Sequence, residues 1–202
     1  MTPLETGQSY DQIADLWVRD DFDRANGIAQ HERALAFLPP EHSHRALDIG
    51  CGSSPRILEL LMRHGFEVEG LDISQRMLEL AREQHPEVVF HHADICEWTF
   101  PHTYDVISAW DSLWHLPLDQ QEPVLQKILA GLPAGGVLIT TTAGLDAPEE
   151  ITNSDMGPEV SYSTLGIPNL LSLLADSGCI CRHLEYDQHP ELHLYIIAQK
   201  SR

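Results

Sequence analysis

The segment Ala46-Leu47-Asp48-Ile49-Gly50-Cys51-Gly52-Ser53-Ser54 constrains the chain more than any other. It reads as a buried strand carrying an acid near its end, a tight glycine turn, and a helix opened by Pro55 and running to about Arg63. Glycine turns the backbone sharply without steric penalty and leaves no Cβ in the way of a molecule lying across the turn. The following helix directs free N–H groups and the positive end of its dipole at the same place. A dinucleotide turn of the form G-x-G-x-x-G requires glycine or alanine at position 55, where this chain has proline. A carboxylate at Asp48 repels a pyrophosphate and attracts an ammonium or a sulfonium.

From Arg45 onward strands and helices alternate, which implies a parallel sheet covered by helices on both faces. Strands are expected at 45–49, 67–72, 88–92, 104–109 and 137–142, with helices at 55–64, 75–84 and 118–131. Gly65 ends the first of these helices and Ser74 caps the second. A long polar loop over about 144–162 leads to a helix that starts near Ser163 or Thr164 and stops at Gly178. Strands at 180–187 and 192–199, joined by His189-Pro190, form a hairpin, so the last strand runs antiparallel.

Residues 1–43 are expected to form a helical lid ahead of a single domain over 44–202. One short helix over 11–18 would bury Ile13, Leu16 and Trp17. A second, capped by Asn26, would bury Ile28, Leu35 and Leu38 and end at Pro39-Pro40. Tyr10, Trp17 and Arg33 are the candidates to reach over a pocket.

Ligands of open α/β sheets bind at the carboxyl ends of the strands. Asp72 ends the second strand, in Glu69-Gly70-Leu71-Asp72-Ile73-Ser74, and can accept both hydroxyls of a ribose. Asp94 follows the third strand, in His92-Ala93-Asp94-Ile95. The glycine turn with an acid on each of three successive strands resembles the class I S-adenosylmethionine (SAM)-dependent methyltransferases. Their first motif is acid-x-Gly-x-Gly-x-Gly; Asp48, Gly50 and Gly52 match, and Ser54 replaces the third glycine. Tyr104-Asp105-Val106-Ile107-Ser108-Ala109-Trp110 resembles the family's fourth motif.

The resemblance covers roughly residues 44–200. It implies an α/β, Rossmann-like three-layer sandwich whose seven-stranded, mostly parallel sheet has an antiparallel last strand. It also implies SAM as cofactor and methyl transfer to a small-molecule acceptor. Carried onto this chain, the cofactor site is Asp48, Gly50, Cys51 and Gly52 at the turn and Asp72 on the ribose. Asp94 takes the adenine amino group, with Ile73, Met77, Ala93 and Ile95 about the ring and Trp110 near the methionine part.

Methyl transfer is an in-line displacement at an already activated carbon, so the protein mainly aligns the nucleophile and excludes water. A base helps only where the nucleophile carries a proton it must lose. In Asp111-Ser112-Leu113-Trp114-His115-Leu116-Pro117, His115 is the candidate base, and Asp111 is the candidate to orient a substrate group or bond the SAM ammonium. His183, Glu185 and Asp187 alternate along one strand face, and Asp187, Gln188, His189 and Glu191 would border the substrate mouth. No metal is expected. Two other readings stay open: a non-catalytic SAM-binding protein, and an NAD-dependent oxidoreductase, which needs the dinucleotide turn this chain lacks.

With 31 acidic against 12 basic residues the net charge is -19, which repels phosphate backbones and excludes nucleic acid as the expected partner. No apolar run has membrane length, and the polar, acidic start is unlike a secretory signal, so a cytoplasmic protein without a membrane partner is expected. Cys51, Cys96, Cys179 and Cys181 form no C-x-x-C pair and are expected to be buried free thiols. No apolar stripe declares an oligomeric state.

Overall fold

The computed structural model describes residues 1–202. Two helices, α1 (Pro3–Ile13) and α2 (Ile28–Leu35), precede the sheet. Five strands then run parallel: β1 (Arg45–Ile49), β2 (Glu67–Asp72), β3 (Val89–His92), β4 (Val106–Ala109) and β5 (Val137–Ala143). Between them lie α3 (Arg56–Arg63), α4 (Gln75–Gln84) and α5 (Leu118–Ala130). A separate two-stranded sheet, β6 (Glu149–Asn153) with β7 (Val160–Thr164), leads to α6 (Ile167–Asp176), β8 (Cys179–Tyr186) and β9 (His193–Lys200). The main sheet has the order β3-β2-β1-β4-β5-β9-β8, with β9 antiparallel to both neighbours. These are the expected seven strands. Strand order reverses between β1 and β4, and that reversal opens a crevice at their carboxyl ends.

Period-two alternation sends the central strands' side chains to opposite layers. Leu47, Ile49, Ile107 and Leu138 face α5 and α6, packing on Val124, Ile128, Leu129, Leu170 and Leu174. Ala46 and Val106 face the other way, against Ile57, Leu58 and Leu61 of α3. Val137 and Ile139 meet Ala34 of α2. Each fully buried leucine or isoleucine contributes about 1.5–3 kcal/mol of transfer free energy, so the sheet is anchored from both sides.

Several local expectations are corrected. The first helix is α1, starting at Pro3, where Thr2 and Glu5 form a reciprocal capping box. Residues 14–18 are a 3-10 turn rather than the body of a helix. Gly27 (φ 84°), not Asn26, occupies the N-cap of α2, and the Asn26 Oδ1 accepts from Trp110 Nε1 at 3.2 Å instead. The expected long loop contains β6 and β7, and Ser163 and Thr164 belong to β7. Gly166 (φ 75°), packed against the Ala147 backbone, delays α6 to Ile167. Strand β4 starts at Val106, because Asp105 stays outside it to accept from Ser43 Oγ and Arg45 N. All four thiols are free; Cys51 and Cys179 are buried, Cys96 is half-buried, and Cys181 is exposed because β8 is an edge strand. No helix is long and apolar enough to cross a membrane.

Candidate active site

A cavity of about 410 Å³ occupies the crevice. The β1–α3 turn and the ends of β2 and β4 form one side; α1 crosses it with Pro3, Thr6 and Tyr10, and Tyr162 of β7 and Glu191 of the C-terminal hairpin complete the wall.

The turn is built as the sequence requires. Gly50 (φ 69°) and Gly52 (φ 60°) are left-handed, and the Gly50 and Cys51 N–H groups both donate to Leu71 O, at 2.7 and 3.1 Å. A Cβ on Gly50 would collide with Ser112, whereas one on Gly52 would meet only Met77 Sδ at 3.9 Å. Gly50 is therefore glycine for packing, and Gly52 leaves the surface open beside the cavity.

Asp72 is buried and accepts from Gly52 N through Oδ2 and from Ser74 N through Oδ1, both at 2.8 Å. Burial raises its pKa in spite of those N–H groups. Each oxygen keeps a second lone pair. Asp94 accepts from Cys96 N at 2.8 Å through Oδ1, and Oδ2 accepts nothing. Ile73, Met77, Ala93 and Ile95 line the space beside these two acids, and Met77 also packs on Ala14 and Leu80. Gly50, Cys51, Gly52 and Trp110 line the cavity as well.

Asp48 is the one expected cofactor residue that is not part of the lining. It shares a β1 face with Ala46, paired with Ser108 of β4, and burial pushes its carboxyl up to about 7 against the pull of Ser108 and Arg56. The same pocket behind β1 holds His31, whose Nδ1 donates to Gly27 O at 2.6 Å while Nε2 accepts from Ser108 Oγ at 3.0 Å. Burial lowers the His31 pKa to about 4, so this ring is neutral.

His115 is buried at the cavity wall. Its Nδ1 donates to Ser161 O at 2.8 Å, which leaves the Nε2 lone pair to accept from Tyr10 Oη at 2.6 Å and Trp114 Nε1 at 3.0 Å. Burial lowers the ring's pKa to about 4. Burial also raises the Tyr10 hydroxyl, helped by the charges of Asp72 and Asp111. Asp111 follows β4 in a left-handed conformation (φ 53°), rare for a residue other than glycine, and its N–H donates to Thr141 Oγ1 at 2.8 Å.

Two contacts were not legible. Tyr10 meets His115 across 105 residues of sequence. His193 lies between two acids, Nε2 at 2.9 Å from Asp111 Oδ1 and Nδ1 at 2.5 Å from Asp187 Oδ1. Burial pulls this imidazole down, but the two carboxylates outweigh burial and hold its pKa above the ordinary value. The alternation of histidine and acid in the C-terminal hairpin was the only signal of it. Gln188 and Glu191 line the mouth as expected; Asp187 stands behind His193.

Residues 46–136 match the model of a methyltransferase domain. That stretch holds the glycine turn, Asp72, Asp94, Asp111 and His115. The chain is similar to trans-aconitate 2-methyltransferase of Rhizobium etli, 34% identical over 105 residues, which are 52% of this chain and 40% of that protein. It is also similar to dTDP-3-amino-3,6-dideoxy-alpha-D-glucopyranose N,N-dimethyltransferase of Streptomyces fradiae, 30% identical over 135 residues, 63% of this chain and 52% of that one. The chain thus spans about half the length, or less, of these curated relatives. The CcbJ methyltransferase of Streptomyces caelestis superposes with a TM-score of 0.71 at 18% identity, over 98% of this chain and 99% of that one. Fold and crevice thus define an α/β scaffold of the methyltransferase type. Residues 46–136 resemble a methyltransferase domain, and the fold is shared with solved S-adenosylmethionine-dependent methyltransferases of Mesorhizobium loti and Listeria monocytogenes, at 20% and 21% identity.

Proposed function

We propose that the protein transfers a methyl group from SAM to a small-molecule acceptor. The observation that carries this reading is the placement of Asp72 and Asp94 on one cavity beside the open Gly50–Gly52 turn. The residues present fit the cofactor. Asp72 has lone pairs left for a ribose diol, Asp94 has a free oxygen for an adenine amino group, and Ile73, Met77, Ala93 and Ile95 supply an apolar slot for a ring. Cys51, Gly52 and Trp110 border the remaining part, with Asp48 buried behind β1. When bound, SAM supplies a methyl group made electrophilic by its sulfonium.

The chain's own work is alignment, exclusion of water and removal of a proton. Residues 1–43 serve as the lid. Ser9 Oγ donates to Glu159 O at 2.8 Å, and Asp11 Oδ1 accepts from Ser74 Oγ at 2.6 Å and Arg76 N at 3.0 Å, so α1 is fastened at both sides of the crevice. His115 is the terminal base. Its tautomer is fixed by Ser161 O, and its Nε2 faces the Tyr10 hydroxyl, which can take a proton from the acceptor as it gives its own to the ring. Asp111, oriented by His193, holds the acceptor. Relatives named for trans-aconitate and for an amino sugar support a small acceptor.

Calorimetry with S-adenosylhomocysteine, SAM without its methyl, tests the cofactor site. Binding is expected, and Asp72→Ala is expected to weaken it about 10- to 100-fold, the loss of one or two hydrogen bonds to a charged group. Binding of NADH with none of S-adenosylhomocysteine at millimolar concentration would overturn the proposal in favour of a dinucleotide enzyme.

A further inference from the structure

The end of the cavity away from Asp72 and Asp94 has a charge and surface character that the methyl-transfer reading leaves unused. Four carboxylates line the cavity, Asp72, Asp94, Asp111 and Glu191, against a single guanidinium, Arg56. Arg56 is engaged in part. Its Nε donates to Asn26 O at 2.9 Å, its guanidinium lies 5.1 Å from the Phe22 ring centre, and Asp48 and Asp111 both face it. The second cation, the His193 imidazole, has a carboxylate on each nitrogen. Arg56 is the only lysine or arginine of the lining.

The acids are different. Asp72 and Asp94 belong to the cofactor end. Asp111 uses Oδ1 on His193, and its Oδ2 accepts no hydrogen bond. Glu191, on the exposed hairpin, has no ion-pair partner and no side-chain hydrogen bond. Beside these two acids stand aromatic rings. Trp114 lies 6.2 Å from Tyr162 and 5.5 Å from His193 between ring centres. Carboxylates combined with aromatic faces attract organic cations, the first by charge and the second through the ring quadrupole. A polycarboxylate in the same place would meet Asp111 and Glu191 with Arg56 alone to offset them.

We infer that the methyl acceptor is a small organic amine, bound as its ammonium between Asp111, Glu191 and the Trp114–Tyr162 wall. This rests on the methyl-transfer reading and narrows its substrate class. The ammonium stands away from the reacting atom, since a protonated nitrogen has no lone pair with which to attack the methyl group.

The test uses the full chain, SAM labelled in its methyl group, and a small-molecule extract separated at neutral pH into cationic, neutral and anionic pools. Label is expected in a product of the cationic pool. For that pool Glu191→Lys, an exposed change that leaves the core intact, should raise KM about tenfold, with S-adenosylhomocysteine affinity unchanged. Label confined to the neutral or anionic pool, or a KM that falls with Glu191→Lys, overturns the inference. If S-adenosylhomocysteine binds and no pool takes label, the methyl-transfer reading itself falls, and this one with it. If S-adenosylhomocysteine does not bind, the cofactor site is what fails.

Discussion

At the scale of single residues the most telling group is Asp48. Burial, with Asp72 adding to it, holds its carboxyl up at about 7, whereas in the unfolded chain it titrates near 3.8. Between these values the folded chain keeps a proton that the unfolded chain has released, so stability from this group is lost as pH rises through 7. Asp48→Asn cannot ionise and keeps the shape. It should match the native chain near pH 4 and exceed it at pH 8, by at most about 4 kcal/mol, each pKa unit being worth ~1.36 kcal/mol. Urea unfolding of both chains from pH 5 to pH 8.5 checks this; a variant less stable at every pH would refute it. Asp72 and Asp94 were legible because each sits where a strand ends, a local pattern. The departure of Asp48 from the lining follows from the same alternation that buries Ala46 on its face. Tyr10 and His115 were legible only singly, since nothing in a linear pattern joins residues that the fold brings together across 105 positions of sequence.

At the scale of elements, the strands and helices from β1 to β5 were readable because their apolar side chains repeat at two or at three to four residues. Helix α1 was not. Its buried residues are Thr6, Gly7 and Ser9, small and polar, so apolar periodicity pointed instead to residues 11–18. Gly7 shows why small residues are used: a Cβ there would stand 3.0 Å from Ile73 O. The β6–β7 hairpin escaped for a related reason, since Glu149, Glu150 and Ile151 are exposed and carry no core-facing pattern. The fastening of α1 gives a prediction. Asp11→Ala removes the acceptor for Ser74 Oγ and Arg76 N at the start of α4, a loss of about 1 kcal/mol. Hydrogen exchange read by mass spectrometry should quicken in residues 3–13 while β1, β4 and β5 keep their protection. Unchanged exchange in α1, or a uniform rise throughout, would contradict it.

For the molecule as a whole, charge dominates. A net -19 on 202 residues makes the compact state repel itself. The Lys and Arg ion pairs present, such as Arg33–Glu185 and Arg76–Asp15, are exposed and offset little of this. Raising sodium chloride from about 20 mM to about 300 mM should therefore increase Tm by about 2–4 °C, the effect of about 1 kcal/mol on a chain of this length. A calorimetric Tm that falls with salt would show attractive pairs outweighing the general repulsion.

The insertion of β9 between β5 and β8 carries one more consequence. Two strands made earlier in synthesis wait for a later one to join them, and His193 at its head is the residue that steadies Asp111. As the ribosome delivers the chain in order, the glycine turn and the adenosyl end of the crevice can take shape while the acceptor end still lacks its steadying imidazole. Competence to recognise the proposed methyl acceptor is thus gained last, when the sheet closes.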